Sequence, residues 1–114
     1  MWTVVYSAEV EQWLKTLTPA EARIVVAVID RLREQGNLMR MPLSKPLGNG
    51  LHELRFNLSG TARRITYTFD EPRRIITLTT FWHQKRTESK EITRARAVLR
   101  QYKQDQENLR RKPQ

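Results

Sequence analysis

Six side chains in the C-terminal two thirds of the chain have the chemistry to act on a phosphodiester: Glu53, Arg55, Arg64, His83, Lys85 and Arg86. Glu53 and Arg55 stand two positions apart in an alternating stretch, so both point to one face of a strand. Arg64 follows in a second alternating stretch beside Arg63, and Trp82-His83-Gln84-Lys85-Arg86 closes a third. Cutting RNA without a metal requires a base for the 2′-OH, an acid for the departing 5′ oxygen, and positive charge beside the phosphorane-like transition state. Glu53 suits the base or the orienter of an Arg, and His83 or Lys85 suits the acid. Arg55 and Arg64 suit the phosphate through their planar forks. Trp82 offers a ring to stack on an unpaired base, and Arg63, Arg86 and Arg94 offer further contacts to RNA.

Each of these residues also has a plainer reading. Glu53 and Arg55 fit a simple ion pair, His83 a solvated turn, and Trp82 the core. Arg64 has no acidic neighbour in its own stretch, which favours function. Arg94, Arg96, Arg100 and Lys103 fit the wet face of a helix with some phosphate contact. His52, on the face of Leu54, reads as structural.

The charge balance points the same way. The chain of 114 residues carries 21 Lys and Arg against 12 Asp and Glu, a net charge of +9. Residues 1–42 hold five of each sign, so the whole excess lies in residues 43–114, as expected of a protein with one face for a polyanion. A generically basic soluble protein has the same composition, whereas a membrane surface fits poorly because no apolar helical stripe with aromatic anchors opposes the cations. Without Cys, disulfides, thiol nucleophiles and Cys-ligated zinc are excluded, and two His cannot build a three-His metal site. No apolar run approaches the ~20 residues of a membrane span and the start lacks a leader pattern, so a cytosolic protein is expected.

Positioning these groups requires an α+β fold of one domain over residues 1–104, with a polar basic tail, residues 105–114, that frays. Trp2, Val4 and Tyr6 alternate as a first strand. Ser7 caps a helix carrying Val10, Trp13, Leu14 and Leu17. Thr18-Pro19-Ala20-Glu21 starts a second helix with a capping box, and Gly36 ends it. Residues 37–50 read as a crossing loop. Three strands follow as an antiparallel meander, with Leu54, Phe56, Leu58, Ile65, Tyr67 and Phe69 facing the helices. In the third, Ile76, Leu78, Thr80 and Trp82 share a face. Glu53, Arg55, Arg64 and Arg63 gather on the other side of the meander. Thr87 caps a C-terminal helix lined by Ile92, Ala95, Leu99 and Tyr102.

Three blocks in series resemble a known family. Leu47-Gly48-Asn49-Gly50-Leu51-His52-Glu53-Leu54-Arg55 is similar to an "L-x-x-G-L-x-E-L-R" block. Ala62-Arg63-Arg64-Ile65-Thr66-Tyr67 is similar to an "x-R-[IV]-x-Y" strand. Phe81-Trp82-His83-Gln84-Lys85-Arg86, then Glu91-Ile92 and Ala95, is similar to an "F-x-K-[KQ]" turn leading into "E-[IV]-x-x-A". These are blocks of the RelE/HigB-like toxins of type II toxin–antitoxin modules, in particular their phage-derived branch. The resemblance, from about Trp2 to Tyr102, implies a RelE-like fold and a toxin that cuts mRNA in the ribosomal A site. It implies no cofactor, and a cognate antitoxin, often a helix-turn-helix protein, as partner. It implies a phosphate role for Arg64, with Arg55 closing its block. His83 stands where the family usually has Lys, with Lys85 and Arg86 following. A gyrase-directed or otherwise non-catalytic toxin and an RNA-binding regulatory module are the alternatives on the same scaffold.

Overall fold

The computed structural model describes residues 1–111. Strand β1 (Thr3–Val5) leads into helices α1 (Ala8–Leu14) and α2 (Pro19–Gln35); strands β2 (Ser44–Gly48), β3 (Leu51–Leu58), β4 (Thr61–Asp70) and β5 (Arg74–Trp82) precede helix α3 (Glu88–Arg111). The fold is α+β, as the sequence predicts. The five strands form one sheet in the order β1-β5-β4-β3-β2, with β1 parallel to β5 and the other neighbours antiparallel.

The local signals act as expected at three helix ends. Ser7 Oγ accepts the Val10 N–H, and Thr18 and Glu21 exchange the two bonds of a capping box. Gly36 ends α2 at φ 53°, where a Cβ would collide with the Trp2 indole.

Helices α1 and α2 bury Val10, Val25, Ile29 and Leu32 against Leu54, Phe56, Ile65, Tyr67 and Ile75 on one face of the sheet. Helix α3 buries Ala95 and Leu99 against Leu51, Ile76 and Leu78 on the other. At about 25 cal/mol per Å² of apolar surface removed from water, these two layers hold the sheet between them.

Four expectations change. Residues 44–48, read as loop, form edge strand β2, whose Ser44 hydroxyl meets the Tyr67 hydroxyl at 2.5 Å in the interior. The register of β4 against β5 shifts between Ile65 and Tyr67, so Thr80 lies opposite Ile65 and Trp82 opposite Arg63. Those two residues therefore leave the face of Ile76 and Leu78. Thr87 does not cap α3; its hydroxyl donates to the Gln84 carbonyl, inside a short turn of 3-10 helix at Lys85–Thr87. Helix α3 continues beyond Gln104 to Arg111, and Gln101–Asp105, Gln104–Asn108 and Glu107–Arg111 pair at i,i+4 along it. Residues 112–114 of the expected tail lie outside the described residues.

Candidate active site

The antiparallel register of β3 and β4 sets Arg55 opposite Arg64 and Glu53 opposite Thr66, so all four share the face covered by α3. Glu53 is 2% exposed and Arg64 6%. Glu53 Oε1 lies 3.5 Å from Arg64 Nε and 3.7 Å from Arg55 Nε, both beyond good hydrogen-bond length. Glu53 Oε2, Arg55 Nε and Arg64 Nε are buried without a hydrogen-bond partner among the described residues. One carboxylate thus serves two guanidiniums and leaves the cluster a net charge of +1 with unused donors. Burial pulls the Arg64 pKa below its ordinary value, while the fields of Glu53 and Glu88 oppose that pull, so the guanidinium keeps its charge.

Strand β5 extends the site beyond the cluster. Phe81 pairs with Arg64, and the His83 N–H donates to the Ala62 carbonyl at 2.8 Å, continuing the ladder by one pleat repeat, roughly 7 Å. That repeat puts His83 on the Arg64 side of the sheet. Its Nδ1 is buried with no partner, which leaves Nε2 as the outward nitrogen. Lys85 and Arg86 follow on the exposed turn and form no ion pair among the described residues. Glu53, Arg55, Arg64 and His83 therefore share one side of the sheet, and Lys85 and Arg86 stand at its rim.

Three expected residues do not join them. Arg63 alternates to the other face, where its guanidinium lies 4.4 Å from the Trp13 ring and its Nε donates to Thr80 Oγ1. Trp82, paired with Arg63, is 53% exposed rather than core. Arg94 is committed to protein: Nη1 and Nη2 grip Glu9 at 2.5 and 3.0 Å, and Nε donates to Glu91 at 2.9 Å. Its pKa is raised, above all by the Glu9 bonds. Glu9 also accepts the Thr80 N–H, and Arg94 reaches the Thr80 carbonyl, so this pair seals the edge of β5 beyond β1.

Two residues near the cluster have no local signal in the sequence. Met41 Sδ accepts from Arg55 Nη1 at 3.4 Å, brought there because the Arg55 N–H bonds the Leu43 carbonyl. Glu88 opens α3 close enough for its field to act on Arg64. Among the described residues, no three His, Asp or Glu side chains stand together as a metal site, and no helix is long and apolar enough to cross a membrane.

Residues 12–100 match the model of a family described as "phage derived protein Gp49-like". The chain belongs to this family. It is the phage-derived branch whose blocks the sequence resembles. No curated protein matches the Gp49-like chain. Among solved structures, it is similar to a chain of the toxin–antitoxin complex RelBE2 from Mycobacterium tuberculosis, at 22% identity and a TM-score of 0.49, covering 72% of this chain and 98% of that one.

Proposed function

We propose that this Gp49-like protein is the toxin of a toxin–antitoxin module and that it cleaves translated mRNA on the ribosome. Family membership and the RelE/HigB-like blocks support the toxin. The observation that carries the cleavage is the Arg64–Glu53–Arg55 cluster, a net-positive group in which one buried carboxylate is shared by two guanidiniums and the partly exposed fork of Arg55 suits one phosphodiester anion. Glu53, enclosed between the two guanidiniums, orients them rather than reaching substrate.

Proton transfer then falls to the rim. His83, offered by the sequence as the acid, serves instead as the base in place of the enclosed Glu53: it takes the 2′-OH proton through Nε2, the 2′ oxygen attacks phosphorus, and the bond from phosphorus to the 5′ oxygen breaks. Lys85 gives that oxygen its proton, leaving a cyclic phosphate and a free 5′-OH. The ribosome supplies alignment of the mRNA, which a shallow site on a small domain does not. A cognate antitoxin of the helix-turn-helix type holds the basic face away from the ribosome.

Mapping 5′ ends of a translated mRNA by primer extension, with purified protein and with or without ribosomes, tests this directly. Breaks at fixed codon positions only on ribosomes, lost in Arg64→Ala, are the expected result. Cutting of naked RNA to the same extent makes the protein a free ribonuclease. Absence of cutting in both cases refutes the nuclease and leaves a toxin that acts by binding.

A further inference from the structure

A second feature lies across the β2 edge from the Arg cluster. A pocket of about 320 Å³ opens between the end of α2, the loop before β2 and the sheet. Its floor is aromatic: the His52 ring stacks on Tyr67 at 5.3 Å and 18°, and meets the edge of Phe69 at 5.0 Å. Met39 and Pro46 supply apolar walls, and Asn37 and Arg40 supply polar groups at the mouth. The imidazole of His52 lines the pocket, makes no hydrogen bond among the described residues, and is only half-buried, so its ring nitrogens are not sealed from solvent. Burial lowers the His52 pKa, which keeps the ring neutral near pH 7, with one donor and one acceptor.

Planar stacking surface, apolar walls and a few convergent polar groups are the features that recognise an unpaired base. The volume is near the lower end for small-molecule sites, about 300 Å³, and suits one ring system better than a larger ligand. The pocket is also joined to the phosphate cluster through one side chain: Met41 lines it and receives Arg55 Nη1 on its sulfur. A strand of RNA with a phosphate at Arg55 can therefore turn a neighbouring base over Met41 toward His52.

We propose that this pocket binds a nucleobase of the RNA whose phosphate lies at Arg55, and that it sets the base preference of the cut. The inference rests on the RNA-cleaving reading for its consequence, but the binding itself is separable from it. His52 and His83 are the two His of the chain, so their ring-proton NMR signals report the pocket and the phosphate cluster independently.

Titrating the whole protein with adenosine, guanosine, cytidine and uridine, which carry no phosphate, should move the His52 signals saturably with at least one of them and leave His83 in place. Inorganic phosphate should move His83 and not His52. His52→Phe keeps a ring on Tyr67 and removes the nitrogens. Its cleavage map on ribosomes should show the base preference beside the cut weakened roughly three- to tenfold, the worth of one or two hydrogen bonds. His52 signals that none of the four nucleosides moves overturn the base pocket, and point instead to a protein side chain as occupant. A His52→Phe map with the native preference overturns it as well. Movement of His52 by a nucleoside in a protein that cuts nothing supports the pocket while removing the nuclease.

Discussion

Glu53→Gln keeps the shape of the side chain and removes the charge that two guanidiniums share. At 3.5 Å and an effective dielectric constant of about 20, the attraction between Glu53 and Arg64 is about 5 kcal/mol before solvation is counted. Arg55 at 3.7 Å adds less, because more than a quarter of its side chain is in water. The native pair has already given up hydration, so removing one partner leaves Arg64 buried and uncompensated, facing Arg55 with no anion between them. The expected loss is about 3 kcal/mol, the lower end of what breaking a buried pair costs. For a domain of this size that lowers the thermal midpoint by about 10 °C. Circular dichroism melts and urea titrations at pH 7 measure both quantities. Arg64→Met in the Glu53→Gln background should recover about 1 kcal/mol or more, since no charge is then stranded. A single variant within 0.5 kcal/mol of native refutes the reasoning, and so does a double variant less stable than Glu53→Gln.

Other perturbations bear on the packing around the site. Glu9→Ala takes the acceptor from the Thr80 N–H and the partner from Arg94, and should cost about 2 kcal/mol and raise hydrogen exchange at the Thr80 amide; native exchange there refutes the edge seal. Tyr102→Phe removes the hydroxyl that donates to Asp70 Oδ2 and accepts from Arg74, for about 1 kcal/mol at pH 7 by urea titration. The Tyr102 bond is the first cause that holds the Asp70 pKa below its ordinary value. A depressed carboxyl stabilises the fold above its unfolded pKa, about 4, and loses that contribution as pH falls through the folded value. The difference between native protein and Tyr102→Phe should therefore shrink below about pH 4, and a difference that is constant down to pH 2 refutes the assignment.

What was legible in the sequence is what local physics decides. Ser7, Thr18-Pro19-Ala20-Glu21 and Gly36 act through neighbours within four positions, and alternation placed Glu53, Arg55 and Arg64 on one face. Strand β2 was hidden because Pro46, Gly48 and Gly50 break any period, and its partners Leu54 and Tyr67 lie outside its own stretch. The bulge at Thr66 was hidden for a related reason. Its hydroxyl meets Thr79 Oγ1 at 2.6 Å, a pairing between strands that shifts the phase of β5 without leaving a mark in the sequence of β5 alone. That one shift moves Thr80 and Trp82 to the opposite face. Arg63 and Arg94 looked like free cations because their partners, Trp13 and Glu9, come from the first helix.

The first strand pairs with the last, and this sets a clock on synthesis. Ser7 binds Thr77 and Leu78, and Glu9 binds Thr80, across 70 and 71 positions of sequence. At translation rates of about 5–20 residues per second, β1 and α1 wait roughly 4–14 s for β5 to be made. Until then β4 has only β3 beside it, and Arg64 has neither Phe81 opposite it nor His83 along the ladder. Incomplete chains thus carry Arg55 and Arg64 but not the strand that brings His83 alongside them. The product of a nascent chain stopped before Trp82 should be inert, and activity should arrive as a single late event as the chain nears completion.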